Sequence, residues 1–405
     1  MKILHLANWN STNIGNGALI YGTQRIVTED APYPIEFVPE AWDDYTFKRK
    51  TFDSKFVELV NQHDALLING AVTMNAFRRT MLHTGMRFDL PLSLWKEIKC
   101  PIIFYGISYR CWPFQEYPNK QALAEAINYA LSQDHIYFGV RNDGTKEWIR
   151  DRLGIESSKI HEVPDPGLFV PHEDHDYPEL HSVRKNILIA FNGEDAPYRF
   201  ATGFERAILG LGQHFVNPAR LERFVARFGS YKKERHRIIL GMAAALERIA
   251  RNMDVQFVLV PHYLDDYGMI QEFIEVLQER IAHQIVVSTG LVSVPHTAYF
   301  YGRYAKADLA ISMRVHSMSP SIGLGIPVIP LTSQGRMRNF LSKIGLSDIG
   351  IDVKQEAFAD LLAARALEML ADPVTYTEHT KKIIMKVREE SRVCNQDIFR
   401  ILSST

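Results

Sequence analysis

The stretch Ala307-Asp-Leu-Ala-Ile-Ser-Met-Arg-Val-His-Ser-Met-Ser-Pro-Ser-Ile-Gly-Leu-Gly-Ile-Pro-Val-Ile-Pro-Leu331 decides the fold class. Asp308 to Ser312 and Pro327 to Leu331 are short apolar runs with buried-strand character, and the segment between them is too long for a hairpin and long enough for a helix. That pattern is a βαβ unit, which requires a parallel sheet. Ser319 is a suitable N-cap and Pro320 a suitable first helical residue, so the helix is expected to start there. Open α/β sheets bind ligands at the carboxyl ends of their strands. The first strand delivers Arg314 and His316 to that end, and alternation puts both side chains on one side. A guanidinium, an imidazole and a helix N-terminus at one point form an anion site with a proton donor beside it. The competing reading makes the two residues caps on neighbouring structure.

Outward from this unit, similar apolar runs alternate with helical patterns along nearly the whole chain, in two sets. The first set reads as strands at Lys2 to Ala7, Pro34 to Val38, Asp64 to Asn69, Pro101 to Gly106, Ile136 to Val140 and Ile160 to Val163, with a helix at Gln121 to Gln133. The second set reads as Asn186 to Phe191, Val255 to Val260, Gln284 to Ser288, Asp308 to Ser312, Pro327 to Leu331 and Asp348 to Asp352. Residues 1–170 and 186–372 are therefore expected to form two Rossmann-like domains. Between the sets, Pro164 to Lys185 reads as an exposed linker, with residues 171–185 as its domain-free part. His161 to Val183 holds six acidic residues, four prolines and no lysine or arginine. His172, His175 and His181 lie there without a spacing that fixes a metal site. After Asp372-Pro373 a long helix, Tyr376 to Leu402, closes the chain, and residues 373–405 are expected to pack back on the first domain.

The 405 residues, 46% hydrophobic and 23% charged, exclude a disordered chain. With 46 basic and 47 acidic residues the net charge is -1. No global pull on nucleic acid or on an anionic membrane follows from that. Three cysteines without CxxC spacing argue against a disulfide framework or a cysteine zinc site and suit a cytoplasmic protein. No signal-like or membrane-spanning apolar run occurs. Arg199 to Arg237 departs from the average with nine basic and three acidic residues, net +6, leaving -7 for the rest. Its phenylalanines and leucines give two readings: an insertion helix with a solvated basic face, or a peripheral contact with a membrane surface or anionic acceptor.

Other strand ends supply further candidates. The first strand leads into Asn10-Ser-Thr-Asn13-Ile-Gly15-Asn16-Gly17-Ala18, where glycines permit close approach and a helix N-terminus is expected to offer free N–H groups. The spacing is not GxGxxG, because Ile20 stands in the third glycine's place, which argues against a nicotinamide cofactor. Val255 to Val260 exits at Pro261-His262. Pro327 to Leu331 exits into Thr332-Ser-Gln-Gly-Arg336-Met-Arg338, with two more cations. Arg141 and Asp165 close first-half strands in the same manner. GxxxxGK[ST], HExxH and GxSxG are absent, which argues against a P-loop kinase, a zincin-type protease and an α/β-hydrolase.

The order of these motifs resembles the polysaccharide pyruvyl transferase family. The pieces are Asn13-Ile-Gly-Asn-Gly-Ala18, His63-Asp-Ala-Leu-Leu-Ile-Asn69-Gly70, Pro101-Ile-Ile-Phe-Tyr-Gly-Ile-Ser108, Val140-Arg141, Val163-Pro-Asp165-Pro166, Val258-Leu-Val-Pro-His262 and Ala307 to His316 followed by Gly325-Ile-Pro-Val-Ile329. The resemblance implies a GT-B-like fold, two Rossmann-like domains facing across a cleft. It also implies transfer of the pyruvyl group of phosphoenolpyruvate to a sugar as a ketal, without metal or cofactor. The donor is then expected at Arg314, Val315, His316 and Ser317, with Arg199, Arg336, Arg338 and His262 as further donor-side groups. The acceptor, a sugar, oligosaccharide or lipid-linked glycan, is expected beside Asn13, Gly15, Asn16, Gly17, Asn69, Arg141 and Asp165. His316 is the expected general acid, protonating the enol carbon so that C2 becomes electrophilic, and an anionic donor should raise its pKa. Arg314 is expected to share the catalytic work.

The sequence departs from the family pattern at Asn16 and Ala71, where many members have an aspartate and a glycine, and at Asn192, where an arginine often ends the strand. Two other functions therefore stay open at this stage. One is a glycosyltransferase with a nucleotide-sugar donor, which an acidic residue placed for ribose near His316 would favour; Ser317 to Pro330 holds none. The other is a non-catalytic sugar- or phosphate-binding member.

Overall fold

The computed structural model describes residues 1–404 except 71, 78, 79, 214, 217, 278–280 and 289–292. Ala71 lies outside the described residues. The first half builds β1 (Lys2–Ala7), β2 (Glu36–Ala41), β3 (Ala65–Ile68), β4 (Val72–Asn75), β5 (Ile102–Arg110), β6 (Ile136–Arg141) and β7 (Ile160–Val163). They form one parallel sheet in the order β2-β1-β3-β5-β6-β7, with β4 paired to the outer half of β5. The second half builds β8 (Lys185–Ala190), β9 (Val255–Leu259), β10 (Ile285–Val287), β11 (Leu309–Ser312), β12 (Val328–Thr332) and β13 (Ile351–Asp352), ordered β10-β9-β8-β11-β12-β13 and again parallel.

The strands read as unbroken apolar runs because helices cover both faces of each sheet. β9, β11 and β12 are buried at every position. In the first sheet Leu4, Leu66, Ile102 and Phe138 fill the core; in the second Ile187, Phe257, Leu309 and Val328 do. β2 begins later than the apolar run at Pro34 and extends to Ala41, carrying Pro39. It is an edge strand, where a missing N–H costs least. β4 was not legible, since four residues beside a kink in β5 at Gly106 (φ 61°) carry no periodic signal. Between β8 and β9 a single insertion helix is replaced by Gly203–Gly212, Pro218–Phe228 and Ser230–Asn252.

The segment from Pro164 is not an exposed linker throughout. Asp165 to Val170 are buried, and Pro166–Phe169 form a 3-10 turn wedged between the domains. Gly22 and Gly323 make this possible: a Cβ on either would collide with the backbone of Pro166 or Leu168. Exposure begins at His172, and the strip to Asp176 is solvated, with Lys306 bridging to Asp174 at 2.6 Å. His181 is half-buried, its Nδ1 accepting the amides of Val183 and Arg184. The last helix, Pro373–Ser403, runs from the second sheet to the first. Its Asn395 bonds Tyr105 Oη at 3.0 Å and Asp30 at 2.7 Å, while Arg388 chelates Asp30. Among the described residues no helix is long and apolar enough to cross a membrane.

Candidate active site

In each sheet the strand order reverses beside its first strand, between β1 and β3 and between β8 and β11. The crevice outside such a reversal is where doubly wound sheets bind ligands. The two crevices share a cleft of about 370 Å³ lined by residues of both halves. Asn13, Asn16, Arg141, Arg199, His262, Arg314, Val315, His316 and Arg336 all reach it.

β11 stops at Ser312, and the following helix is Val315–Gly323, not a helix beginning at Ser319-Pro320. Arg314 is its N-cap residue in extended conformation. Pro320 therefore sits inside the helix, where it cannot donate to the carbonyl of His316 and would clash with it. The chain yields at His316, whose φ of -87° and ψ of 19° leave the helical region. Tyr301 donates its hydroxyl to the orphaned His316 carbonyl at 2.6 Å. Ser319 is no cap; its hydroxyl donates to Asp165 at 3.2 Å. The amides of Val315 and His316 find no acceptor among the described residues, so the first turn presents two N–H groups at an anion-favouring helix end.

His316 Nε2 accepts from Arg141 Nη1 at 3.3 Å and stands 3.6 Å from Asp165 Oδ2. A guanidinium can only donate, so this contact describes a neutral ring with its proton on Nδ1. The Nδ1 edge faces the first-domain loop: a Cβ on Gly15 would lie 2.8 Å from it. Burial depresses the His316 pKa below 6.5; Asp165 pulls it back up, while Arg141 and Arg336 push it further down. The expected rise is thus absent from the protein alone, because two guanidiniums and desolvation outweigh one carboxylate. Asp165 is fully buried. Burial would raise its pKa, but Arg141, His316 and the Gly167 amide hold it at about 2. Its Oδ1 accepts from Gly167 N at 2.7 Å, while Oδ2 has no hydrogen-bond donor. Arg141 and Asp165, expected on the acceptor side, both meet His316 directly.

Arg314 is not a free cation. Its Nε and Nη2 grip Asp266 at 2.9 and 2.5 Å, and Nη1 meets Glu194 at 3.2 Å. Glu194 also takes Arg110 at 3.1 Å, and its backbone carbonyl takes Arg199 Nε at 3.1 Å. Burial works against ionisation of Glu194, but Arg110, Arg314 and Arg199 hold its pKa at about 2. Arg199 is 4% exposed and bonded to the neutral Ser333 hydroxyl. Burial brings it down to about 9; Asp195 and Glu194 oppose this, and Arg314 and Arg110 add to it. A buried guanidinium crowded by two others is a place an anion stabilises. The turn that carries it begins at Asp195, a non-glycine residue at φ 53°, strain that buried surroundings must hold in place.

Arg336 crosses to the first domain, donating to Tyr109 O at 2.7 Å and Ser108 Oγ at 3.1 Å. Arg338, expected on the donor side, is half-exposed on Asp352 at 3.1 Å and outside the cleft, because one helical step of two turns it to the opposite face. His262 is buried and neutral: burial first, then Arg314 and His316, hold its pKa well below 6.5. It contributes no charge, and its Nε2 pairs with Tyr304 Oη at 2.6 Å. Ser317 is buried against Tyr304 at 3.1 Å, away from the cleft.

On the facing side the helix Ile14–Asp30 starts at the cleft, but its first amides are occupied. Ile14 N donates to His262 O at 3.1 Å, Gly15 N to the Asn13 side chain at 3.1 Å and Asn16 N to Asn13 O at 3.0 Å. The loop is a seam between domains and not an amide cradle; Gly17 is required because a Cβ would strike Thr297. Asn69 is buried behind it, with its amide on Thr23 at 2.5 Å and Oδ1 near His5. Residues that sequence reading missed complete the wall: Arg110, Trp112, Glu194 and, beneath Arg314, Asp266. Asp266 follows His262 at the exit of β9 and could have been flagged as a strand-end carboxylate; the others follow unmarked strand extensions. Among the described residues seven arginines line the cleft against the carboxylates of Asp143, Asp165, Glu194, Asp195 and Asp266, two more positive than negative groups.

A family model described as polysaccharide pyruvyl transferase matches residues 13–335. A search of curated proteins finds no match. Among solved structures, a UDP-GlcNAc 2-epimerase from Neisseria meningitidis bound to UDP-GlcNAc is similar at a TM-score of 0.53 and 11% identity, covering 100% of each chain. A candidate UDP-N-acetylglucosamine 2-epimerase from Listeria monocytogenes is similar at 0.51 and 14%, covering 94% of this chain and 90% of that one. Identities this low bear on the fold alone, and with the two parallel sheets they make the architecture GT-B-like.

Proposed function

Because the chain belongs to the polysaccharide pyruvyl transferase family, and so among the transferases, we propose that it moves the pyruvyl group of phosphoenolpyruvate onto a sugar of a polysaccharide or glycolipid precursor as a ketal. One observation carries the reading: a neutral, partly exposed His316 stands between an arginine that blocks its Nε2 and a buried carboxylate oxygen that lacks a donor.

The donor brings a phosphate and a carboxylate. In this reading Arg199, the Val315 and His316 amides and the unused N–H groups of Arg314 receive them. Arg141 turns from His316 Nε2 to the incoming anion. Nε2 then takes a proton and donates to Asp165 Oδ2, and the imidazolium presents Nδ1–H as the acid. Proton transfer to the enol carbon makes C2 electrophilic. A sugar hydroxyl adds to C2 and returns its proton to the imidazole. The C2–O bond to phosphate breaks, and the second hydroxyl closes the ketal, its proton leaving with phosphate. Anion binding and histidine protonation are thereby coupled, which confines the acid to the loaded site.

The test is phosphate release from phosphoenolpyruvate with candidate glycan diols, alongside thermal melting with phosphoenolpyruvate or nucleotide sugars. Phosphoenolpyruvate should raise the melting temperature, since a ligand of the native state alone stabilises it. His316→Gln should keep that rise and lose turnover; Arg199→Ala should lose the rise. Stabilisation by a nucleotide sugar and none by phosphoenolpyruvate would replace this reading with a glycosyltransferase.

A further inference from the structure

We infer that the helices Gly203–Gly212 and Pro218–Phe228 dock on an anionic lipid bilayer and bring a membrane-anchored acceptor to the mouth of the cleft. Their inner sides are accounted for. Leu209, Leu221 and Val225 are buried with Tyr198 and Ala201, and Phe77, Trp112 and Phe114 of the first domain pack against that cluster. Their outer sides remain apolar: Phe204 is 67% exposed, Leu211 69%, Phe215 86% and Phe224 48%. Phe204 and Leu211 are seven residues apart, two turns of one helix, and so share a face. Single exposed apolar residues are ordinary, but four of this size on one short hairpin mark an interaction surface.

Charge identifies the occupant. Arg206, Arg220, Arg223, Arg227, Lys232 and Lys233 are exposed on the same stretch, Arg220, Arg223 and Arg227 on the outward side of Pro218–Phe228 with Phe224, whereas Glu205 is buried and Glu222 and Glu234 are partly so. Glu205 faces inward, accepting the amides of Thr202 and Tyr231. From Gly203 to Lys233 the chain holds six basic and two acidic residues, net +4 on a chain of -1 overall, so the remainder carries -5. Such a separation turns this face towards an anionic surface and the rest away from it. A second copy of the chain fits poorly, because a two-fold contact would set this positive stretch against its own copy. Apolar side chains that enter an interface between flanking cations are the pattern of a peripheral membrane helix.

Position links this surface to the site. Trp112 packs under the hairpin and lines the cleft, with the Arg199 guanidinium 5.9 Å from its ring. A glycan on a lipid carrier could enter while its anchor stays in the bilayer. That part rests on the transferase reading; the docking does not.

The test is co-sedimentation of the full chain with vesicles of phosphatidylcholine alone and of phosphatidylcholine with an equal part of phosphatidylglycerol. Binding to the anionic vesicles only, weakening with salt, is expected. The pair Arg220→Glu and Arg223→Glu should lower it at least about tenfold, as should Leu211→Ser with Phe215→Ser. Phosphate release with a water-soluble acceptor should be unchanged in both. Equal binding to neutral vesicles, no binding, or indifference to both pairs overturns the proposal. So does a dimer in sedimentation velocity that the serine pair dissolves. Binding is read without turnover, so its failure is distinct from failure of the donor reading.

Discussion

Asp266 is fully buried, and Arg314 supplies its counter-charge through two nitrogens. Removing one partner of a buried pair leaves an uncompensated charge, which typically costs about 3–5 kcal/mol. Arg314→Ala should therefore lower the unfolding free energy in urea by about that amount, whatever it does to donor affinity. A variant as stable as the native chain would show that the pair carries no structural load. Asp165 makes a different case, since it raises the His316 pKa. In Asp165→Asn the alkaline limb of the pH–rate profile, set by loss of the acid's proton, should move to lower pH. A limb that stays in place would remove Asp165 from the acid's control. Position was legible where a strand end carries charged side chains: Arg314 and His316, read at the carboxyl end of their strand, both reach the cleft. Asp266 and Glu194 were not legible, because a carboxylate's partner is chosen by the fold and no local spacing names it.

The helix Val315–Gly323 carries its kink at His316. Pro320 removes one bond, His316 leaves helical geometry, and Tyr301 replaces the missing donor at 2.6 Å. Local propensity favours starting a helix at Ser-Pro, and that is why the sequence points to Ser319; burial of Ser319 on Asp165 and of the turn around it overrides the preference. Tyr301→Phe should leave a buried carbonyl unpaired, costing about 1–3 kcal/mol, and loosen the hold on His316, which Pro320 still keeps out of a regular turn. Turnover should fall while the Michaelis constant for phosphoenolpyruvate changes little, because Arg199 and the amides are untouched. Equal losses in both would assign Tyr301 to binding. Gly15 tests the same geometry from the facing domain. Alanine there suits a helix by about 1 kcal/mol, yet its Cβ would press on the His316 ring at 2.8 Å. A stable Gly15→Ala protein with impaired turnover is expected, and undiminished turnover would mean the ring has room to move.

Across the molecule, the two sheets were readable because parallel strands are continuous apolar runs, while the way the halves meet was not. The seam depends on Gly22 and Gly323 admitting the Pro166 and Leu168 backbone, a three-dimensional complementarity without sequence period. Both halves bury imidazoles, His5 in the first and His262 and His316 in the second. Burial, opposed only in part by Asn69, brings His5 down to about 4; His262 lies well below 6.5, and His316 below it. The sign follows from where protons bind. Below pH 6.5 the unfolded chain protonates these rings while the folded chain does not, so stability falls as pH drops through the window between 6.5 and the folded values. For His5 alone, the shift from 6.5 to about 4 is worth about 3 kcal/mol by pH 4. Asp165 and Glu194, held at about 2, add a loss of the same direction only below about pH 4.5. Unfolding midpoints in urea should therefore decline steadily from pH 7 to pH 4, and His5→Asn should flatten that decline without altering the steeper loss below it. Stability constant over pH 7 to 4 would mean that these rings are hydrated and protonated in the folded chain, and that the closed seam around His316 opens in solution.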